Sequence, residues 1–264
     1  DYWVGRLCAL GRLTPDTYDA DPSFRRLIDI VPFGIEAEPP VHTQRVLKGA
    51  IPGIAQDDFV LLWAGGIWQW FDPLTVIRAM AALRAQTPQA KLVFLGSRSP
   101  NPDNARMTIE DAARELADRL GLLGSTVFFL EGWVPFRERG SYLCEADAGI
   151  SAHPATVESR FAFRTRVLDY IWAGLPMLLS EGDYFADVVR SKRLGYTMPA
   201  GDVAAWAGAV CRLATDRQSR LEMRQRITAL APEFYWDRVA EPLLRFCASP
   251  QRARRFATWE TALV

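Results

Sequence analysis

The chain has 264 residues, 49% of them hydrophobic, with 31 basic and 31 acidic side chains and a formal net charge of zero. That length and apolar content suit one large core, or one core with appendages, and the charge balance excludes a general nucleic-acid or anionic-membrane surface. No uncharged apolar window reaches about 18 residues, which excludes a transmembrane helix.

Cys8, Cys144, Cys211 and Cys247 lack metal-type or redox spacing, and they read as free thiols in a reducing, cytoplasmic setting. The two histidines lie far apart, which argues against a His-rich metal site. The opening "DYWVGRLCALGR" lacks an initiator Met and places Trp3, Leu7 and Leu10 on one helical face. It reads as a helix belonging to something upstream, so the chain is expected to begin inside a longer protein.

"TPDTYDADPSF" is turn-rich and without period, and "LIDIVPFGI" reads as a short strand. From residue 58 the rhythm is regular. "FVLLWAGG" is a continuous apolar run, the mark of a strand covered on both faces. "DPLTVIRAMAALRAQT" predicts a helix with Asp72 as N-cap and Pro73 in its first turn. "AKLVFLG" is a second strand, and "TIEDAARELADRLGL" a helix with a capping box at Thr108 and Asp111. Then come strand "TVFFLEGW", helix "PFRERGSYLCEA", strand "DAGISAH" and helix "FAFRTRVLDYIWAG". Strand "LPMLLS", helix "DYFADVVRSKR" and strand "LGYTMPA" follow, and the remainder from Asp202 is helical before a polar tail. Six strands alternating with helices predict an α/β fold, a doubly wound and mostly parallel Rossmann-like sheet. Ligands of such sheets sit at the carboxyl ends of the strands, near the switch point.

Four strand ends carry candidates. After the first, Gly65 and Gly66 precede a helix N-terminus, a phosphate-friendly corner or simply a tight turn. After the second comes Arg98, facing a ligand or solvated. After the third, Trp133 and Val134 offer a place for a base, or Trp133 belongs to the core. After the fourth lies the densest cluster: His153, Glu158, Arg160, Arg164, Arg166 and Asp169. Arginines at a helix N-terminus oppose its dipole, so anionic partners are expected for them. These are either protein carboxylates or a bound phosphate.

At these residues the sequence resembles the carboxyl-terminal, donor-binding half of the retaining group 1 (family 4) glycosyltransferases of GT-B fold. "VPFGI" resembles the family's linker strand and "LLWAGG" its first donor-domain strand. "EADAGISAHPATVES" and "LDYIWAGLPMLLS" resemble its acidic-motif strand and helix, and "FYWDRVAEPLLRF" the helix that crosses back to the other lobe. The resemblance implies three segments. Residues 1–34 would be a terminal helix and linker strand of an amino-terminal lobe that is absent, 35–231 a nucleotide-sugar-binding domain, and 232–264 a crossing helix and tail. It gives Asp169, framed by Gly174 and Pro176, the role of holding ribose hydroxyls. Glu158 is the nearest candidate for the acid that contacts the donor sugar.

Two features depart from the family pattern. With seven residues between the two acids, the position paired with Asp169 is Phe161 rather than an acid, and the glycine turn "GGIWQWFD" lacks the usual Arg and Lys. Arg98, Arg164 and Arg166 are therefore the candidate diphosphate cations, and Glu158 and Arg164 the candidate catalytic pair. Gly65, Gly66, Trp133, Val134 and His153 complete the expected nucleotide-sugar site.

The resemblance implies retaining transfer of a sugar from a nucleotide diphosphate sugar to an acceptor hydroxyl, without a metal or other cofactor. The acceptor, a glycan or lipid-linked molecule, would belong to the full-length enzyme, expected in the cytoplasm or peripheral at the membrane. The fragment alone is expected to turn over little. A non-catalytic nucleotide- or sugar-binding module of the same fold is the alternative, and fold alone does not decide between them.

Overall fold

The computed structural model describes residues 2–96, 101 and 107–250. Six strands form one parallel sheet: β1 (Phe59–Ala64), β2 (Ala90–Leu95), β3 (Val127–Phe129), β4 (Ala148–Ser151), β5 (Met177–Ser180) and β6 (Gly195–Met198). Their order is β3-β2-β1-β4-β5-β6, so the sequence of strands reverses direction between β1 and β4. This is the doubly wound topology that the strand–helix alternation predicts.

Twelve helices connect or flank the strands among the described residues. They are α1 (Tyr2–Ala9), α2 (Pro15–Ala20), α3 (Pro73–Leu83), α4 (Thr108–Arg119), α5 (Arg139–Glu145), α6 (Val157–Phe161), α7 (Arg166–Trp172), α8 (Tyr184–Lys192), α9 (Val203–Thr215), α10 (Arg217–Leu230), α11 (Trp236–Val239) and α12 (Glu241–Ala248). The chain divides into two compact units, one drawn from Asp1–Gly34 and Tyr235–Val264, the other Ile35–Phe234. The sheet lies wholly in the second.

Every residue of β1 is buried, as its unbroken apolar run requires for a strand covered on both faces. Phe59, Leu61 and Trp63 join the core beneath α3 and α9, together with Leu92, Phe94, Val127 and Ile150. Val60, Leu62 and Val93 alternate to the other face and are equally buried. There α7 lies against β4, with α10 behind it.

β1 and β2 pair over their full length, Phe59 opposite Ala90 through Ala64 opposite Leu95. β1 and β4 pair at only two positions, Leu61 with Ala148 and Leu62 with Gly149. Beyond these the strands part, and the Tyr170 hydroxyl fills the gap. It accepts from the Ala64 amide at 3.0 Å and places its one proton on the carbonyl of Leu62 (2.9 Å) or Ile150 (2.8 Å). Burial pushes this phenol up to about 12, so it stays neutral.

Asp72 caps α3 as expected, accepting from the Thr75 amide and hydroxyl at 3.0 and 2.6 Å, with Pro73 in the first turn. Four local expectations are corrected. Residues 15–20 are helical, because Thr14 and Thr17 close a capping box around Pro15. Residues 27–34 form no strand. Thr108 is the first residue of α4 and not its cap. Gln69 of the glycine-turn loop takes that role, its Oε1 accepting from the Thr108 hydroxyl at 3.0 Å and the Ile109 amide at 3.3 Å. The helix expected from Phe161 begins only at Arg166, as α7; Phe161 instead ends the short helix α6, with extended backbone at Ala162.

Candidate functional site

The carboxyl ends of β1 and β2 finish in glycines whose backbones adopt positive φ, 114° at Gly65 and 71° at Gly96. A side chain at either would be strained, yet a Cβ there would meet nothing within 4 Å. The space in front of them is a hollow of about 200 Å³. Trp133, Val134, Phe136 and Leu143 wall it, and Asp169 and Arg139 supply its charged groups.

Asp169 lies in the first turn of α7, about a third of its side chain exposed. Burial raises its carboxyl pKa, opposed by the positive charges of Arg139 and Arg166. Arg139 Nε donates to Asp169 Oδ1 at 3.2 Å. The Arg139 guanidinium is itself fixed: Nη1 donates to the Phe136 carbonyl at 2.9 Å, and Cζ stands 3.5 Å from the Phe136 ring centre and 4.6 Å from that of Trp172.

Arg166 lies behind the glycine turn, almost fully buried. Its Nη2 donates to the Gly66 carbonyl at 2.8 Å, and its Cζ sits 4.0 Å from the Phe71 ring centre and 4.8 Å from that of Trp63. Among the described residues no carboxylate pairs with it, and its Nη1 has no hydrogen-bond partner. Burial lowers its pKa to about 10, which leaves it charged near neutrality. The turn thus sits on a buried cation that makes no direct ion pair, its charge favoured at longer range by Asp169.

Arg164 is engaged differently. It makes a bidentate contact with Glu158, Nη1 to Oε1 at 3.1 Å and Nη2 to Oε2 at 2.8 Å, and its Nε stands 4.0 Å from Asp183 Oδ2. Asp183 Oδ1 caps α8 through the Ala186 amide at 2.8 Å, while Oδ2 lies 3.2 Å from His153 Nε2. The backbone N–H of His153 donates to Ser180 Oγ at 2.9 Å. Glu158, Arg164, His153 and Asp183 therefore form one network after β4 and β5.

Of the residues singled out in the sequence, Gly65, Trp133, Val134 and Asp169 line the hollow. Gly66 and Arg166 form its glycine-turn support, and His153, Glu158 and Arg164 stand in the neighbouring network. Arg98 lies outside the described residues. Arg139 was missed. It sits in a helix that reads as an ordinary amphipathic segment, and only the fold brings it to Asp169, 30 positions later.

A parallel sheet with a glycine-floored hollow beside its switch point belongs to the nucleotide-binding class of α/β folds. The family described as "Glycosyl transferases group 1" matches residues 45–216, and the chain belongs to that family. A D-inositol 3-phosphate glycosyltransferase of Nocardia farcinica is 28% identical over 246 residues, 92% of this chain and 51% of that protein. The chain spans about half the length of the curated relatives it matches. Among solved structures, Anabaena HepE in complex with UDP-glucose superposes with a TM-score of 0.60 at 17% identity, over 74% of this chain and 50% of that one. The C-terminal domain of the Francisella tularensis group 1 protein LpcC gives a TM-score of 0.61 at 14% identity, over 76% of this chain and 99% of that one. The fold is one lobe of the GT-B architecture, matching the C-terminal domain of LpcC over nearly its whole length.

Proposed function

We propose that this chain is the donor half of a retaining glycosyltransferase that moves a sugar from a nucleotide diphosphate sugar to an acceptor hydroxyl. The observation that carries the reading is the hollow between Gly65, Trp133 and Asp169, with a buried Arg166 behind its glycine turn that makes no direct ion pair and whose Nη1 is unpartnered. Apolar walls suit a base, and a carboxylate suits a ribose diol. A buried cation without a direct ion pair is further stabilised by a ligand's negative charge, because burying a charge unpaired is costly.

In the reaction the bond from the anomeric carbon to the diphosphate oxygen breaks and a bond to the acceptor oxygen forms. The acceptor's proton leaves with the diphosphate. Arg166 and the glycine turn would stabilise the departing anion, and no metal is assigned to that task. The Glu158–Arg164–Asp183–His153 network would border the sugar. The acceptor would bind a second lobe, so this half would bind donor and turn over little. HepE, named in complex with UDP and UDP-glucose, supports the choice of ligand class.

Calorimetric titration with UDP, GDP and ADP, then with their sugar conjugates, tests the reading. One nucleotide should bind in the micromolar range, about −8 kcal/mol. Absence of binding to all three would favour a degenerate module of the same fold.

A further inference from the structure

Asp169 stands in a hollow walled mostly by apolar side chains, with Arg139 the other charged group, and the apolar walls favour the neutral acid. A protonated carboxyl would present its proton where a ribose hydroxyl must donate. Three groups face it. Arg139 approaches from α5, Arg166 lies three positions earlier on α7, and Tyr170 is its neighbour in the chain. Only Arg139 touches it. The contact is one-sided: Oδ1 is taken at 3.2 Å, and no described residue donates to Oδ2.

Arg139 is held from several directions, by the Phe136 carbonyl, the Phe136 ring and the Trp172 ring. Trp172 is anchored in turn, its Nε1 donating to the Glu38 carbonyl at 2.6 Å. A guanidinium so restrained fixes the angle of the carboxylate as well as its charge. An exposed Arg–Asp pair contributes little, but this pair lies inside the hollow.

We propose that Arg139 is a positioning residue for nucleotide binding: it anchors one oxygen of Asp169 and leaves the other ionised and aimed at a ribose hydroxyl. The inference rests on the nucleotide reading above and adds to it a residue that touches the carboxylate without being its ligand. Loss of Arg139 should therefore make nucleotide affinity depend on pH through Asp169.

The test compares the wild type with Arg139→Gln, Arg139→Lys and Asp169→Asn. The probe is whichever of UDP, GDP and ADP the wild type binds most tightly, titrated from pH 5.5 to 8.5. Taking the ratio of variant to wild-type Kd cancels titration of the diphosphate itself. For Arg139→Gln the ratio should be small at pH 8.5, roughly 3-fold, and grow to roughly 30-fold at pH 5.5 as Asp169 takes up a proton. Arg139→Lys keeps the charge and should flatten the profile. Asp169→Asn should lose affinity equally at every pH.

A parallel measurement needs no ligand. The carboxyl carbon resonance of Asp169, followed by NMR, should titrate at higher pH in Arg139→Gln than in the wild type. An unmoved titration, or a flat Arg139→Gln ratio with measurable wild-type binding, overturns the role of Arg139. A wild type that binds none of the three diphosphates overturns the nucleotide reading instead, and the role in binding falls with it.

Discussion

The ring of Tyr170 lies flat on Gly149, so close that a Cβ added to the glycine would fall 2.3 Å from the tyrosine Cγ. Helix α7 and strand β4 meet there without a spacer, at the point where β1 and β4 part. Gly149→Ala forces the ring away, and overpacking of this kind should destabilise by about 1–3 kcal/mol. Tyr170→Phe keeps the ring and orphans the buried Ala64 amide, which should cost about 1–3 kcal/mol. Thermal melts of both variants check this. Because the folded phenol sits near 12 and the unfolded one near 10, its contribution is constant below pH 10 and lost as pH rises from 10 to 12. Wild type, but not Tyr170→Phe, should show that alkaline loss.

Asp169→Asn should separate stability from function. The folded carboxyl is raised by burial against Arg139 and Arg166, so its ionised form is disfavoured relative to the unfolded chain. The neutral amide should hold or raise the melting temperature at pH 7 while weakening nucleotide affinity by about 10- to 100-fold. In the wild type, stability should rise as pH falls into the carboxylate range. A melting temperature that drops sharply in Asp169→Asn would contradict the assignment.

Arg164 and Arg166 should part company when each is replaced. Arg166→Met leaves an apolar chain between Phe71 and Trp63 and should weaken UDP binding by roughly 10-fold or more, with little change for uridine. Arg164→Met strands Glu158 and the Asp183–His153 pair, so its main effect should be a stability loss of about 3 kcal/mol, because Asp183 is buried. Calorimetry with both ligands, beside melts, separates the two effects.

Glu145 staples the segment before the sheet to α5. Burial pushes its carboxyl up, but His42 and the amides of Val46, Lys48 and Leu47, at 2.7–2.9 Å, outweigh that and hold it below the ordinary range. Glu145→Ala should cost about 2–4 kcal/mol, since bonds to a charged acceptor are among the strong ones. The stabilisation is present above the usual glutamate range and lost as pH falls through the lowered folded value. Acid melts of wild type and variant should converge there.

The six strands and their order of helices were legible because buried parallel strands are unbroken apolar runs. Asp72 was legible because a cap is local. What stayed hidden depends on distance. Gln69 caps α4 from 39 positions away, a contact that the local Thr108 and Asp111 pattern could not signal. The apolar spacing of "FAFRTRVLDYIW" reads as one helix. Phe163 instead packs against Phe185 with ring centres 4.7 Å apart, and Arg164 reaches Glu158, so the chain turns between α6 and α7. Arg139 offered no signal in the sequence at all.

Trp133 has 57% of its surface in water although it walls the hollow, while Trp63 and Trp206 are fully enclosed. Among the described residues, Trp133 is the indole in the lining from which anything lodging there would strip solvent. The protein therefore carries its own optical gauge: a blue shift in emission on occupancy, silenced in Trp133→Phe, that needs neither label nor turnover.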